Sequence, residues 1–206
     1  MAEICTLIIE ALNNVPKSFY VVINPKERND QIIGYAKDET QAERSFVARF
    51  YFEIMKIFEK DQLLKKYLEH YIMDVELYKR IIYKNKEYPT LYEKSRDVFI
   101  SEKSEGVYPD FIFHKGQTYN NLEDQLLIME LKAKKVNEEE FNYDTFKTNL
   151  YVEEFNFQNG IYLIVNNNIE LIRELFERYR EQYYFNEGKC LVIVKPEYGL
   201  DAITLP

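Results

Sequence analysis

The sequence predicts an α/β fold in which a mixed central β-sheet is flanked by helices. From residue 38 onward, segments with the periodicity of an amphipathic helix alternate with short apolar runs of strand length. The two apolar runs nearest the C-terminus are unbroken, as in strands that are buried on both faces. The chain of 206 residues contains no internal repeat, and only six glycines and six prolines interrupt it. We therefore expect one domain built on one sheet.

We expect this single domain to extend over residues 1–206 and to contain three parts. These are an N-terminal extension (1–37), a core (38–165) and a C-terminal helix and strand (166–206). Within the extension, residues 3–13 have the spacing of a short helix. The stretch SFYVVINP predicts a brief extended segment that ends at Pro25.

The core begins with the clearest helical pattern of the chain, over residues 38–60. With a rotation of about 100° per residue, its apolar side chains fall within an arc of about 140°, as expected for a helix that faces a core. These apolar residues are Phe46, Val47, Phe50, Tyr51, Ile54, Ile57 and Phe58. Glu43 lies near the middle of this arc, where an acid is costly to bury unless it is paired or binds a ligand. A carboxylate favoured by the positive end of the helix dipole is the alternative explanation.

Three strands are predicted to follow this helix. The stretch YIMDVELYKRIIY (71–83) alternates between two sets of side chains, which is typical of a strand with one buried face. Two short apolar runs, 111–113 and 126–129, are separated by a polar segment that contains Gly and Asn. They predict two strands joined by a loop.

The remaining elements complete the predicted order α, β, β, β, α, β, α, β. Asn137 and Glu140 have the spacing of a helix cap, for a helix that extends to about residue 152. The tripeptide QNG at 158–160 predicts a turn. The stretch IYLIV predicts a buried strand, residues 169–183 an amphipathic helix, and CLVIV a final buried strand.

The charge and the motif content of the chain limit the functions it can have. With 35 acidic and 27 basic residues the net charge is −8, which argues against a non-specific coat on nucleic acid, since that needs clustered Lys and Arg. Neither a phosphate-binding loop nor a serine-hydrolase motif occurs in the sequence. Of the two histidines, we interpret His114 at a strand end as structural, so a histidine-based mechanism has little support.

The cysteines and the hydropathy predict an intracellular location. Cys5 and Cys190 lack the spacing of metal ligands and are too few for a disulfide framework, which fits a reducing cytoplasm. No apolar run approaches the roughly 20 residues that cross a bilayer, and Glu3 and Glu10 interrupt the N-terminal apolar stretch. We therefore expect a cytoplasmic protein without a membrane partner.

Charged residues lie at the ends of the two central strands. Asp110 directly precedes the first apolar run, while Glu130 and Lys132 end the second. Residues i and i+2 of a strand project to the same face, so Glu130 and Lys132 point together, and Asp110 can meet them from the neighbouring strand. Two carboxylates and the Leu131 carbonyl supply oxygen ligands for Mg²⁺ or Mn²⁺ and leave positions for water and a phosphate oxygen. The Lys132 ammonium can then orient the attacking water and offset charge on the phosphate.

The same three side chains also fit a simple salt bridge at the strand ends, because an acid-x-lysine triplet is common by chance. A second triplet, Glu187-Gly188-Lys189, lacks a preceding apolar run and an upstream Pro-Asp pair, so we interpret it as a chance match. The pattern alone leaves the salt bridge and the metal site open for Asp110, Glu130 and Lys132.

The pair Pro109-Asp110, followed by Glu130-Leu131-Lys132, resembles the motif of the PD-(D/E)XK nuclease superfamily. Members share the restriction-endonuclease-like fold, whose core order α, β, β, β, α, β is similar to that of residues 39–165. The resemblance implies that Asp110 and Glu130 are metal ligands, that Lys132 is the catalytic lysine and that Glu43 is a further ligand from the helix. Four stretches are also similar to small stand-alone members whose roles are mostly undefined: ERSFVARFYFEIM, MDVELYKR, NYDTFKTNLY and NGIYLIV.

Three further lysines are candidates for contacts around this site. Lys147 lies on the same helical face as Tyr143, Phe146 and Leu150, so it can reach the site from behind the metal ligands. A lysine that only covers apolar surface is the alternative. Lys134 and Lys135, just beyond the motif, are candidates for phosphate contacts, and a solvated charge run is the usual alternative.

We therefore expect a Mg²⁺- or Mn²⁺-dependent nuclease that hydrolyses phosphodiester bonds, with DNA as the expected partner. A binding or assembly module of the same fold without turnover is the alternative from another class, and the acidic net charge favours it. Hydrolysis of a small phosphate ester is a third candidate. Strandedness, sequence specificity and the choice between a monomer and a homodimer stay open.

Overall fold

The computed structural model describes residues 2–20, 39–60, 71–74, 79–80, 87–100, 106–115 and 125–205. Its helices are α1 (Ala2–Asn14), α2 (Lys17–Tyr20), α3 (Glu39–Lys60), α4 (Thr90–Phe99), α5 (Glu138–Phe155) and α6 (Ile169–Gln182). Its strands are β1 (Ile72–Asp74), β2 (Lys79–Arg80), β3 (Gly106–Val107), β4 (Phe111–His114), β5 (Gln125–Lys132), β6 (Asn159–Val165), β7 (Cys190–Lys195) and β8 (Ile203–Leu205).

Six of these strands form one mixed sheet, in the order β1-β4-β5-β6-β7-β8. The three central strands β5, β6 and β7 are parallel, while β1 with β4, β4 with β5, and β7 with β8 are antiparallel. Strands β2 and β3 pair separately as a two-stranded sheet. The predicted α/β class with a mixed sheet between helices is therefore confirmed.

Helices cover both faces of the main sheet. Side chains of α1 and α3 share one core with strand residues such as Leu131 and Ile161. Side chains of α4, α5 and α6 share a second core with strand residues of the opposite parity, such as Ile128 and Tyr162. Because successive strand residues point to opposite faces, residue 130 on β5 faces α5 whereas its neighbour Leu131 faces α3.

The four predicted helices are confirmed, and so are the two buried strands. Residues 3–13, 38–60 and 169–183 correspond to α1, α3 and α6. Asn137 and Glu140 form a complete capping box at the start of α5, in which each side chain accepts the other residue's backbone N–H. Helix α5 continues to residue 155, three residues beyond the predicted end. Strand β6 is buried along its whole length, as expected for a strand covered on both faces.

The extended segment predicted for SFYVVINP is wrong over residues 18–20, which belong to helix α2. Tyr20 is buried against the ring of Phe46, and its hydroxyl donates a hydrogen bond of 2.6 Å to the carbonyl of Leu12. This tertiary packing outweighs the strand preference of the aromatic residues. The rest of the segment lies outside the described residues.

The single strand predicted over residues 71–83 is not continuous in the described part of this segment. Only Ile72–Asp74 joins the main sheet, and there the predicted alternation is confirmed, since Met73 is 9% exposed and Ile72 is 52% exposed. Lys79–Arg80 pairs with β3 in the small sheet instead. Residues 75–78 and 81–83 lie outside the described part of the chain.

Helix α4 and strands β3 and β8 were not predicted, and one turn is displaced. Helix α4 lies between β1 and β4, and β8 adds an edge strand after β7. The turn expected at QNG lies earlier, because Asn156 adopts a left-handed conformation (φ 59°) at the end of α5 and β6 already begins at Asn159. Pro89, directly before α4, is a start signal for that helix that sequence reasoning missed.

Candidate active site

The two central strands bring the predicted acids together. Strands β4 and β5 are antiparallel, and the pairing of Phe111 with Met129 places Asp110 beside Glu130. The backbone N–H of Leu131 donates a hydrogen bond of 2.7 Å to Asp110 Oδ2. The predicted meeting of Asp110 with the end of β5 is therefore confirmed, because the register of the two strands enforces it.

Glu130 lies on the face of β5 that packs against α5, and its side chain is 1% exposed. Lys147 Nζ donates to Glu130 Oε2 at 2.7 Å, and the Tyr151 hydroxyl donates to Oε1 at 2.6 Å. These two donors are four residues apart on α5, so they lie one above the other on one side of the helix. Helix α5 thus engages both oxygens of the carboxylate.

Asp144, also on α5, joins the same network and was not predicted. Its carboxylate lies 3.6 Å from Lys132 Nζ and 3.5 Å from Lys147 Nζ, and it accepts a hydrogen bond of 3.4 Å from the Tyr162 hydroxyl. Asp144 is three residues before Lys147 and therefore on the same side of the helix. An acid on the inward face of an amphipathic helix is the signal that could have identified it, by the argument used for Glu43.

Lys132 projects towards α5, as its spacing from Glu130 predicts, and its side chain remains 22% exposed. Burial lowers the pKa of this lysine, but the negative charges of Asp144, Glu43 and Asp110 outweigh burial and raise its pKa above the ordinary value. Lys132 is therefore a stable cation at neutral pH, suited to orient an anion or a water rather than to accept a proton.

Glu43 reaches the end of β5 from α3, on the other side of the sheet. Its Oε1 accepts a hydrogen bond of 3.1 Å from the backbone N–H of Ala133. Burial raises the pKa of Glu43, the positive charge of Lys132 opposes this rise, and the negative charge of Asp110 adds to it. The predicted helix glutamate is thus brought to the site, where it touches the backbone of β5.

The two lysines expected to contact phosphate, Lys134 and Lys135, make contacts within the protein. Lys134 Nζ lies 2.7 Å from a carboxylate oxygen of Glu140, and Lys135 Nζ donates a hydrogen bond of 2.6 Å to the carbonyl of Asn166. Both residues follow the end of β5, and the positive charge of Lys134 opposes the rise of the Glu43 pKa. Their contact with phosphate remains a prediction.

Negative charge exceeds positive charge within this network. Two lysines face four carboxylates, so the formal sum is 2 − 4 = −2. These groups are Lys132 and Lys147 against Glu43, Asp110, Glu130 and Asp144. Burial raises the pKa of Asp110, although the hydrogen bond from Leu131 opposes this. Burial also raises the pKa of Glu130 to about 8, and the neighbouring carboxylates Asp110 and Asp144 add to the rise against the opposing charge of Lys147.

This charge excess and the oxygen donors match the preference of Mg²⁺ and Mn²⁺, which are often held by one or two carboxylates together with waters. Asp110, Glu130 and the Leu131 carbonyl are the group that fits by chemistry. In the described part of the chain, however, no three acidic, histidine or cysteine side chains are placed to hold one ion together. An ion cannot reach Glu130 in this arrangement, because Lys147 and Tyr151 occupy the two carboxylate oxygens.

Two other charged features lie apart from this network. His114 is buried at the far end of β4 and lies 3.0 Å from Asp74 of β1, which agrees with a structural role between these strands. The second triplet, Glu187-Gly188-Lys189, occupies the turn before β7, where Glu187 pairs with Arg180. Neither feature takes part in the contacts around Glu130 described above.

Comparison with models of protein families, with curated proteins and with solved structures finds no match for this chain. Among the described helices, none combines the length and apolar composition needed to span a bilayer.

Proposed function

We propose that this protein is a Mg²⁺- or Mn²⁺-dependent nuclease that hydrolyses phosphodiester bonds, with DNA as the expected substrate and a restriction-endonuclease-like fold as its scaffold. One observation carries the proposal. Asp110 and Glu130 lie side by side at paired strand ends, with Lys132 on the same face, and the network would carry a formal charge of −2 if all of its groups were ionised. Full ionisation of these buried carboxylates is costly without a cation, and the raised pKa of Glu130 in the metal-free protein reflects that cost.

In this proposal each residue has a separate task. Asp110, Glu130 and the Leu131 carbonyl would hold the ion, and Glu43 would be the additional carboxylate at the end of β5. The bound ion would polarise a phosphoryl oxygen and acidify a water. Lys132, whose pKa is raised by the surrounding carboxylates despite burial, orients the nucleophile as a permanent cation and offsets negative charge on the phosphate.

A binding or assembly module without turnover is the second candidate. The observation that favours it is that both oxygens of the Glu130 carboxylate already accept hydrogen bonds from α5, one from Lys147 and one from Tyr151. In that case the acids and lysines would form a structural network that joins α5 to β5.

Cleavage assays with Lys132→Ala distinguish these candidates. Wild-type protein is incubated with linear double-stranded DNA, single-stranded DNA, branched DNA and RNA, in Mg²⁺ or Mn²⁺ and in chelator. We expect metal-dependent cutting of at least one substrate, and a loss of about 100-fold or more in the variant, as for removal of one electrostatic donor from a catalytic site.

Lys189→Ala is the matched control, because Lys189 ends a triplet of the same acid-x-lysine spacing that lies in a turn remote from the site. Its cutting should equal that of the wild type. If well-folded wild-type protein cuts none of the four substrates, the nuclease proposal fails. Turnover of small phosphate esters is then the next assay, and the binding module remains if that is negative too.

A further inference from the structure

Lys147 has two kinds of partner within reach of its ammonium group. On the inner side it lies 2.7 Å from Glu130 and 3.5 Å from Asp144. On the outer side it lies 5.6 Å from the centre of the Tyr143 ring, which is 42% exposed. The ammonium makes both kinds of contact in the same conformation, and because a lysine side chain is long and flexible it can leave the carboxylates and stay beside Tyr143 without movement of α5.

We propose that Lys147 is a built-in competitor for the metal: its ammonium holds the cation position beside Glu130, and a divalent ion binds there only when Lys147 swings outward. This inference rests on the proposed function and specifies how the same site is regulated. It assigns to Lys147 a role that neither catalysis by Lys132 nor metal ligation by the acids requires.

The burial of Glu130 is the reason that both cations cannot bind together. Its side chain is 1% exposed, and Tyr151 and Lys147 already approach the two oxygens. An ion at the Lys147 side would share the space of the ammonium group, and two cations within a few ångströms repel one another strongly where water is excluded. Tyr151 is neutral and can keep its hydrogen bond in either state.

After displacement from Glu130, the ammonium of Lys147 can occupy an outward position beside Tyr143. The ammonium already lies within cation–π distance of Tyr143, so a lysine that leaves Glu130 can keep this contact while it becomes hydrated. Tyr143 directly precedes Asp144, so this position lies at the edge of the group of carboxylates that includes Asp144 and Glu130. The released ammonium would then be available to a phosphate group of a substrate, so that binding of the metal prepares binding of the anion.

The first test measures Mn²⁺ affinity by calorimetry or by the spin-resonance signal of free Mn²⁺, at pH 8, for the wild type and Lys147→Met. We expect the variant to bind Mn²⁺ about tenfold more tightly or better, within the range by which groups behind metal ligands change affinity. Lys147→Gln, which retains a hydrogen-bond donor but lacks the charge, should shift in the same direction. Lys147→Gln also replaces Lys147→Met in this test if the methionine variant does not fold.

Lys56→Met is the matched control. Lys56 also pairs with a buried glutamate, Glu53, at 3.0 Å, but on α3 and away from Asp110 and Glu130. The control therefore loses one lysine from a buried carboxylate and should bind Mn²⁺ as the wild type does. Equal or weaker Mn²⁺ binding by both folded Lys147 variants would overturn the proposal.

A second measurement uses the wild-type protein alone. Acetylation of individual lysines by an amine-reactive ester, read by mass spectrometry, should become several-fold faster at Lys147 in Mn²⁺ or Mg²⁺ than in chelator. Lys56 should react at the same rate in both. An unchanged rate at Lys147 under conditions where calorimetry shows bound metal would contradict displacement.

The two proposals fail in different ways. If the Lys147 variants bind Mn²⁺ more tightly but no substrate is cut, the competition stands and the nuclease proposal falls. If metal-dependent cutting is observed and both variants bind Mn²⁺ no better than wild type, the nuclease proposal stands and the competition falls. If no protein binds Mn²⁺ at millimolar concentrations, the competition is refuted directly.

Discussion

Replacement of Glu130 by Gln should flatten the pH dependence of stability in the metal-free protein. Glu130 is buried, and burial is the main reason that its pKa rises to about 8 in the folded chain. In the unfolded chain a glutamate titrates near its ordinary value of about 4.3. The positive charge of Lys147 opposes the rise, while the negative charges of Asp110 and Asp144 reinforce it.

The sign follows from proton uptake. Between about pH 4.3 and about pH 8 the folded state keeps the Glu130 proton and the unfolded state has lost it. The unfolded state then binds fewer protons, so the free energy of unfolding decreases as pH rises through this window. Below the window Glu130 is protonated in both states and contributes no pH dependence.

The magnitude is set by one proton. A full difference of one bound proton changes the free energy of unfolding by about 1.4 kcal/mol per pH unit. From pH 5 to pH 7.5 the wild type should therefore lose up to about 3 kcal/mol through Glu130, on the same scale. Burial also raises the pKa of Asp110 and Glu43, which act in the same direction, so the comparison with Glu130→Gln isolates the share of Glu130.

The assay is urea unfolding at constant ionic strength, in chelator, at half-unit steps from pH 5 to pH 8. Glutamine has the shape of glutamate and accepts a hydrogen bond but does not ionise, so the variant should show a visibly shallower slope. Glu174→Gln, on the exposed side of α6, controls for the loss of one negative charge. A wild-type stability that is flat or rises over this range, or an unchanged slope in Glu130→Gln, would refute the reasoning.

Two further predictions concern the scaffold of the site. Gly160→Ala should destabilise the protein by about 1–3 kcal/mol, as for other overpacked cores, because a Cβ there would lie 2.9 Å from two side-chain methyl groups of α5. Thermal unfolding measures this, and Gly188→Ala, whose Cβ would meet its nearest atom at 3.5 Å, should be tolerated. Asn137→Ala removes the capping box shared with Glu140 and should cost about 1 kcal/mol. Urea unfolding checks that loss, and an unchanged midpoint would contradict it.

The parts of the site that depend on local pattern could be predicted. Asp110 and Glu130 lie at the ends of apolar runs short enough to be strands, and a loop between two such runs implies antiparallel pairing. Glu130 and Lys132 share a face because the period of a strand is two. These inferences need only the sequence spacing, and the structure agrees with them.

The contacts made by α5 could not be predicted in the same way. Helical periodicity places Lys147, Asp144 and Tyr151 on an inward face, but it does not determine which strand residue each side chain meets. That depends on how α5 is set along β5, which is a result of packing over the whole sheet. The ion pair between Lys147 and Glu130 is therefore visible only in the structure.

Helix α4 was not predicted, for a different reason. One of its buried residues is Ser95, whose hydroxyl donates to the carbonyl of Leu91 and accepts from the N–H of Tyr184. A polar residue on the inward face weakens the apolar stripe by which an amphipathic helix is identified. Val98, in contrast, is apolar but 62% exposed, which weakens the pattern further.

A second buried glutamate, Glu154, provides a comparison for the network around Glu130. Glu154 accepts hydrogen bonds from the Tyr88 and Tyr92 hydroxyls and pairs with Arg96, so it joins α5 to α4 through donors and a cation. Glu130 has a comparable anchor in Lys147, yet the fold also brings Asp110 and Asp144 close to it. Each added carboxylate makes ionisation of a buried acid more costly. An anchor between helix and sheet does not need this assembly of like charges, whereas a site for a cation does.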